Sequence, residues 1–260
     1  MIRRLSIPVA AAVALMHCIA AAGQDSPQPG RYADNAAYQD AAKERSILFR
    51  GMLAPEYKFK HNGTCYAESK QFQKGEILYN GRLYRDVDLN LDACSQMVVV
   101  RSGLITATDS KYVEYALIGD SRFVNLQFDG SIKDAPKGYC KQIHKGPVSF
   151  YALITKTIEM DDGYHNGEDI GYDDPDYQEY TTVAGRQVRI PGYFAYGVKY
   201  YVVKDGAARQ VRNKAAILKC FDKETAKSLR RYASKSGLND AEVKVERYAD
   251  EILDYWEGLR

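Results

Sequence analysis

Between residues 47 and 204 the chain runs in short polar and apolar alternations broken by glycine dipeptides, and no stretch holds a helical period long enough for a crossover helix. That absence is the strongest constraint on the fold. Parallel strands need a crossover of a dozen or more residues, usually helical, whereas antiparallel strands need only tight turns. Glu76-Ile77-Leu78-Tyr79, Asn80-Gly81 and Arg82-Leu83-Tyr84-Arg85 make the clearest hairpin, because Asn-Gly supplies the positive φ angles of a type I′ turn. Asp129-Gly130 after residues 123–128 and Asp205-Gly206 after residues 198–204 predict two more. Further runs at 97–101, 104–108, 112–118, 139–144, 148–158, 180–183, 187–190 and 193–196 raise the expected number of strands to about ten. The expected fold is mainly β, an antiparallel meander forming a curved sheet, barrel-like or sandwich. With 21 Tyr beside 8 Phe and 1 Trp, the aromatic set suits strands with one wet face. A chain that is 45% apolar and 27% charged is neither disordered nor collagen-like.

Helical signals are confined to the ends. Asp34 or Asn35 can cap a helix reaching about Arg45. Asn213 can cap a helix to about Cys220 and Asp222 a second to Lys235, with Gly237 as its left-handed stop. Asn239 with Glu242 resembles a capping box and predicts a third helix, whose apolar stripe is Val245, Tyr248, Ala249, Ile252, Tyr255, Trp256 and Leu259. Residues 204–235 carry ten Lys and Arg against three acids, and residues 236–260 carry three against seven, so the two helices are expected to pair their charges. The expected organisation is a signal peptide over 1–23, a leader and helix over 24–46, an antiparallel β domain over 47–212, and a helical segment over 213–260 packed on it.

The first 23 residues read as an export signal. Arg3 and Arg4 precede an apolar stretch over residues 7–22, and Ala20-Ala21-Ala22-Gly23 offers small residues for cleavage. The stretch is short for a transmembrane helix, and no second one follows. A periplasmic or extracellular location is expected. Lipid anchoring at Cys18 is disfavoured, because the bulky His17 precedes it where a small residue belongs. Arg3 and Arg4 account for the whole net charge of +2, so the processed chain is balanced and net charge points to no nucleic-acid partner. Cys65, Cys94, Cys140 and Cys220 remain, an even number in an oxidising compartment, and are disulfide candidates in any of three pairings. No two lie at the Cys-x₂₋₄-Cys spacing of a cysteine zinc site.

The stretch from Gln73-Lys74-Gly75-Glu76-Ile77-Leu78-Tyr79-Asn80-Gly81 to Leu91-Asp92, the segment Gly138-Tyr139-Cys140-Lys141-Gln142-Ile143-His144-Lys145-Gly146, and Tyr200-Tyr201-Val202-Val203-Lys204-Asp205-Gly206 with the helices that follow resemble a broad set of exported Bacteroidota proteins. That set has no established activity. The resemblance implies export and a β-rich body with a helical C-terminal tail, and carries no chemistry with it.

Three constellations bear on chemistry. Residues 161–180 hold eight acids without Lys or Arg, and Asp161, Asp162, Asp169, Asp173 and Asp174 could supply oxygens to a hard cation such as Ca²⁺, against the plainer reading of a solvated loop. Asp86, Asp88, Asn90 and Asp92 alternate with Val87, Leu89 and Leu91. They share one strand face, either the wet side of a sheet or, through Asp88, Asn90 and Asp92, a ligand-binding surface. Carboxylates beside many tyrosines make carbohydrate a sensible ligand class. Gly119-Asp120-Ser121 and Asp162-Gly163-Tyr164-His165 resemble esterase blocks with Ser121 as nucleophile and His165 as base, but their position and their β context do not fit such enzymes. No P-loop, dinucleotide or His-Glu-x-x-His pattern appears, and no cofactor is expected apart from that Ca²⁺. The expected function is therefore a non-catalytic module binding a ligand or partner at the cell envelope, with a carboxylate-based glycoside or ester hydrolase as the alternative. Sequencing the amino terminus of protein recovered outside the cytoplasm should give a chain starting at Gly23 or Gln24.

Overall fold

The computed structural model describes residues 33–34, 36–42, 45–57, 61–160, 180–183, 185–189 and 192–259, within one compact unit spanning Ala33–Arg260. Among the described residues fifteen strands run in chain order. The first nine are β1 (Ala33–Asp34), β2 (Met52–Leu53), β3 (His61–Asn62), β4 (Gln73–Tyr79), β5 (Arg82–Asp92), β6 (Met97–Ser102), β7 (Leu104–Ala107), β8 (Val113–Ile118) and β9 (Ser121–Asn125). The remainder are β10 (Tyr139–His144), β11 (Val148–Met160), β12 (Tyr180–Val183), β13 (Arg186–Arg189), β14 (Gly192–Lys204) and β15 (Ala207–Val211). Helix α1 (Ala36–Ala42) precedes the sheet, and α2 (Lys214–Leu218), α3 (Lys223–Lys235) and α4 (Val245–Gly258) follow it. Among the described residues no helix is long and apolar enough to cross a membrane.

Eleven strands form one antiparallel sheet in the order β15-β14-β11-β10-β9-β8-β4-β5-β6-β7-β2, which is not closed; β1 and β3 add short parallel pairings to β5 and β14. The expected curved antiparallel sheet is present, and its path is not a simple meander. A five-residue link, residues 108–112, carries the chain from β7 across to β8, which pairs with β4. So short a link works because the sheet is strongly curled.

Local turn chemistry builds two of the predicted hairpins. Asn80 and Gly81 have φ of 50° and 70°, and Asp205 and Gly206 have 51° and 73°, the paired positive angles of a type I′ turn. The Asp129-Gly130 hairpin does not form. Only Gly130 there has positive φ, and residues 126–138 make a longer excursion between β9 and β10. Lys133 ties that excursion to β15, through N–H to Gly206 at 2.8 Å and its carbonyl accepting from Ala208 at 2.8 Å.

The curl is drawn together at a seam. The Lys156 N–H of β11 donates to the Ala93 carbonyl just past β5 at 3.1 Å, although five pairings separate these strands along the sheet. Gln96 clasps the same place, its Nε2 donating to the carbonyls of Ala93 (2.9 Å) and Ile154 (2.8 Å) and its Oε1 accepting from the Tyr139 amide (3.1 Å). Inside lies a core of fully buried Tyr84, Leu89, Leu91, Val98, Val100, Phe123 and Tyr139, joined by Ile154 from across the seam. Each such side chain contributes about 1.5–3 kcal/mol when removed from water.

A second core lies under the helices, where Val148, Phe150, Val202 and Val211 meet Ile217, Leu229, Tyr248, Ala249, Ile252 and Leu253. Asn213 and Asp222 cap α2 and α3 as expected, by accepting from Ala216 and from Glu224 and Thr225. Gly237 at φ 68° stops α3, and the Leu238 amide closes back on the Ala233 carbonyl at 3.0 Å. The Asn239 capping box does not form, and α4 begins only at Val245 after an uncapped Lys244. The backbone there runs instead through turns, Asp240 N–H to the Gly237 carbonyl and Val243 N–H to the Asp240 carbonyl, and the Lys214 ammonium holds the carbonyls of Leu238 (2.9 Å) and Asp240 (2.7 Å). On α4, Leu253 joins the buried stripe, while Leu259, just past the helix end, is 54% exposed. The acids of α4 also go elsewhere than expected: Glu246 accepts from Tyr200, Glu251 from Arg247, and Asp250, Asp254 and Glu257 gather at His144 of β10.

Replacing Gln96 by Ala removes all three clasp bonds and strands the partners of a seam the core depends on. Urea unfolding should show a loss of about 2–3 kcal/mol, read as a lower midpoint at unchanged slope.

Candidate functional site

The polar face of β5 is only partly wet. Asp86 is exposed, at a bulge where its φ is 55°. Asp88 pairs with Lys74 (3.5 Å) and Arg101 (3.7 Å) in a groove of about 530 Å³ also lined by Gln39 and Phe49. Exposed pairs of this kind add little stability. Farther along, residues 63–72 roof the strand. The Ala67 amide donates to Leu91 and the Ala93 amide to Cys65, each at 2.9 Å. Asn90 is buried and donates to the carbonyls of Ser69 (2.8 Å) and Gln71 (3.2 Å). Asp92 is 2% exposed; one oxygen accepts from the amides of Cys94 (2.8 Å) and Ser95 (3.1 Å), the other from the Tyr57 hydroxyl (2.8 Å). Of the three ligand candidates on this strand, Asp88 faces a groove, whereas Asn90 and Asp92 bond to the chain itself.

Under the same roof, Lys156 is 5% exposed and its ammonium donates to the Thr64 carbonyl at 2.8 Å. Burial, with the Asp92 carboxylate beside them, pushes the Cys65 thiol up to about 12 and the Cys94 thiol up to about 11. Burial alone pushes Cys140 up to about 12. Such thiols stay protonated near neutrality and are poor nucleophiles and metal ligands. The expected disulfide is corrected: Cys65, Cys94, Cys140 and Cys220 are all free, with no two close enough to bridge.

The esterase-like serine has a structural role. Gly119-Asp120 is the two-residue turn of the β8–β9 hairpin, with Gly119 at φ 56° and Ser121 paired with Ile118. A positive φ at the first turn position is what a type II′ turn requires, so the Gly-Asp-Ser string is turn grammar. His165 and the cation candidates Asp161, Asp162, Asp169, Asp173 and Asp174 lie outside the described residues.

A larger cleft, of about 570 Å³, opens on the sheet where one cover ends and the next begins. One face of β11 is covered by the helices at Val148 and Phe150 and by the seam at Ile154 and Lys156. Where these covers approach each other, Ile143, Ala152 and the edge of Ile154 form an aliphatic floor. Glu68 of the roof stands on one side, and Asp240, Glu242, Lys244, Glu246 and Arg247 around the start of α4 on the other. Tyr196 of β14, 40% exposed, also lines the cleft. Lys141 reaches from β10 to form an ion pair with Glu68. Glu246 accepts from the Tyr200 hydroxyl at 2.6 Å, and burial together with that carboxylate raises the phenol above its ordinary value. Four acids and three bases thus ring an apolar floor beside the partly exposed Tyr196. No single spacing in the sequence announces this cleft, because it joins residues from 68 to 247.

Asp92 should prove structural. Asp92→Ala leaves two amides and a phenol without their acceptor and should cost roughly 3–5 kcal/mol in urea unfolding, whereas Asp92→Asn, which keeps the amide acceptor, should cost about 1 kcal/mol. Comparison with known proteins finds no matching family, no similar curated protein and no similar solved structure, so the reading of this site rests on its own geometry.

Proposed function

We propose that this protein is a non-catalytic, exported binding module of the cell envelope and that the cleft beside α4 takes a neutral, hydroxyl-rich ligand of the carbohydrate class. The observation that carries this reading is the exposed Tyr196 ring standing beside an aliphatic floor within a near-balanced ring of Glu68, Asp240, Glu242, Glu246, Lys141, Lys244 and Arg247. A sugar hydroxyl donates to a carboxylate and accepts from an ammonium or guanidinium at once, and the apolar face of a pyranose stacks on a tyrosine ring. A strongly charged ligand would meet groups of its own sign on such a rim. The volume of about 570 Å³ falls in the ordinary range for small-molecule sites. Export rests on Arg3, Arg4 and the apolar stretch after them.

The hydrolase alternative fits less well. Glycoside hydrolysis needs one carboxyl held protonated as acid and a second free to act as base or nucleophile. Two of the four cleft acids are engaged as acceptors, Glu68 by Lys141 and Glu246 by Tyr200.

Calorimetric titration of the processed chain with a panel of neutral oligosaccharides should find a saturable ligand. Tyr196→Ala should weaken it by about tenfold while the chain stays folded by circular dichroism. Failure of every glycan to bind, or equal binding by Tyr196→Ala, overturns the proposal. Turnover of a glycan at about 1 s⁻¹ or faster would establish the hydrolase instead.

A further inference from the structure

His144 is held in an arrangement that binding at the cleft does not require. As the last residue of β10 it would alternate onto the face of Cys140 and Gln142, but a bulge at Ile143 intervenes. Gln142 pairs with Tyr151 and His144 with Phe150, leaving Ile143 as the extra residue. The bulge turns His144 to the side that Phe150 shares with the helices. There its imidazole, 5% exposed, faces Asp250, Asp254 and Glu257, which recur at steps of four and three on one side of α4. Nε2 lies 3.1 Å from Glu257 Oε1, and Nδ1 lies 3.0 Å from Asp250 Oδ1 and 3.5 Å from Asp254 Oδ1. The three donor atoms of His144, Asp250 and Asp254 all lie within 4.8 Å of one another.

We propose that His144, Asp250 and Asp254 bind a divalent transition-metal ion of zinc type, which fastens α4 to the sheet. A neutral imidazole carries one N–H. In the tautomer that donates this N–H from Nε2 to Glu257, the Nδ1 lone pair points at the two aspartate oxygens, an arrangement that a bound cation stabilises. Ligands about 2.0–2.2 Å from a zinc ion lie about 3.3–3.6 Å from each other in tetrahedral geometry; the 3.5 Å from Nδ1 to Asp254 Oδ1 falls in that range, and the 3.0 Å to Asp250 Oδ1 has only to open by a few tenths of an ångström to admit the ion. A carboxylate on the second imidazole nitrogen fixes the tautomer and strengthens the metal ligand, which is the position of Glu257. Gly146 makes room for it, because a Cβ there would fall 1.7 Å from Glu257 Oε1. The Asp250 and Asp254 side chains are 49% and 71% exposed, leaving the far side of the ion open to solvent for entry and for a water ligand. An imidazole in the set favours zinc over Ca²⁺ or Mg²⁺, which prefer oxygen.

Chelator-treated processed chain should bind one Zn²⁺ in calorimetry, and its melting temperature should climb with zinc concentration but not with Ca²⁺ added at the same levels. Asp250→Asn with Asp254→Asn, both at exposed positions that leave the fold intact by circular dichroism, should weaken zinc at least about a hundredfold. Glu257→Gln, acting only through the imidazole, should weaken it by about ten- to a hundredfold. Absence of zinc binding, or equal binding by the double variant, overturns the proposal and leaves an imidazolium bridging Asp250 and Glu257.

Discussion

The hydrogen bond from the Lys156 amide to the Ala93 carbonyl, with the Gln96 clasp around it, holds the molecule in its curled form. An open antiparallel sheet of eleven strands buries one face only if something lies against it, and here the sheet supplies that cover by curling onto itself. The seam is where β5 meets β11, and the residues it brings together, Leu91, Ala93 and Ile154, belong to one core. Without it Ile154 and its neighbours would face water, and the penalty would spread across every strand lining the interior.

The seam also sets where a ligand can sit. Strand β11 is covered at one end by the helices and at the other by the seam and residues 63–72, and the two covers do not meet. The step between them becomes the cleft, with an apolar floor because this face of the strand is apolar from Val148 through Phe150 and Ala152 to Ile154, and a charged rim because cover edges are solvated. The position of α4 fixes the second wall. Its acids, which in isolation look like a solvated face matching the basic α3, are drawn instead to Tyr200 and His144.

Much of the local structure was legible because its cause is local. Asn80-Gly81 and Asp205-Gly206 make hairpins since positive φ is a property of those residues, and Asn213, Asp222 and Gly237 bound helices through bonds to amides and carbonyls within a few positions. The misreadings have distant causes. Asp129-Gly130 carries the signal of a hairpin, yet its excursion pairs with β15, some seventy-five residues on. In place of the Asn239 box are turns whose carbonyls are held by Lys214, a residue of another helix. Gly119-Asp120-Ser121 was the reverse case, a turn whose letters match a catalytic block.

Sequence alone determined the antiparallel class and the helical tail, and gave as an expectation an export signal whose removal would leave a near-zero net charge, all of which follow from composition, period and residues adjacent in the chain. Tertiary structure alone decided which polar residues face solvent. The alternation of β5 puts Asp88, Asn90 and Asp92 on one face, but only the roof of residues 63–72 buries Asn90 and Asp92 and leaves Asp88 outside. The period of two would send His144 away from the helices, and a single extra residue at Ile143 turns it toward α4. Curl, cover and bulge each depend on contacts between residues far apart in sequence, whose pairing is settled by the packing of the whole chain.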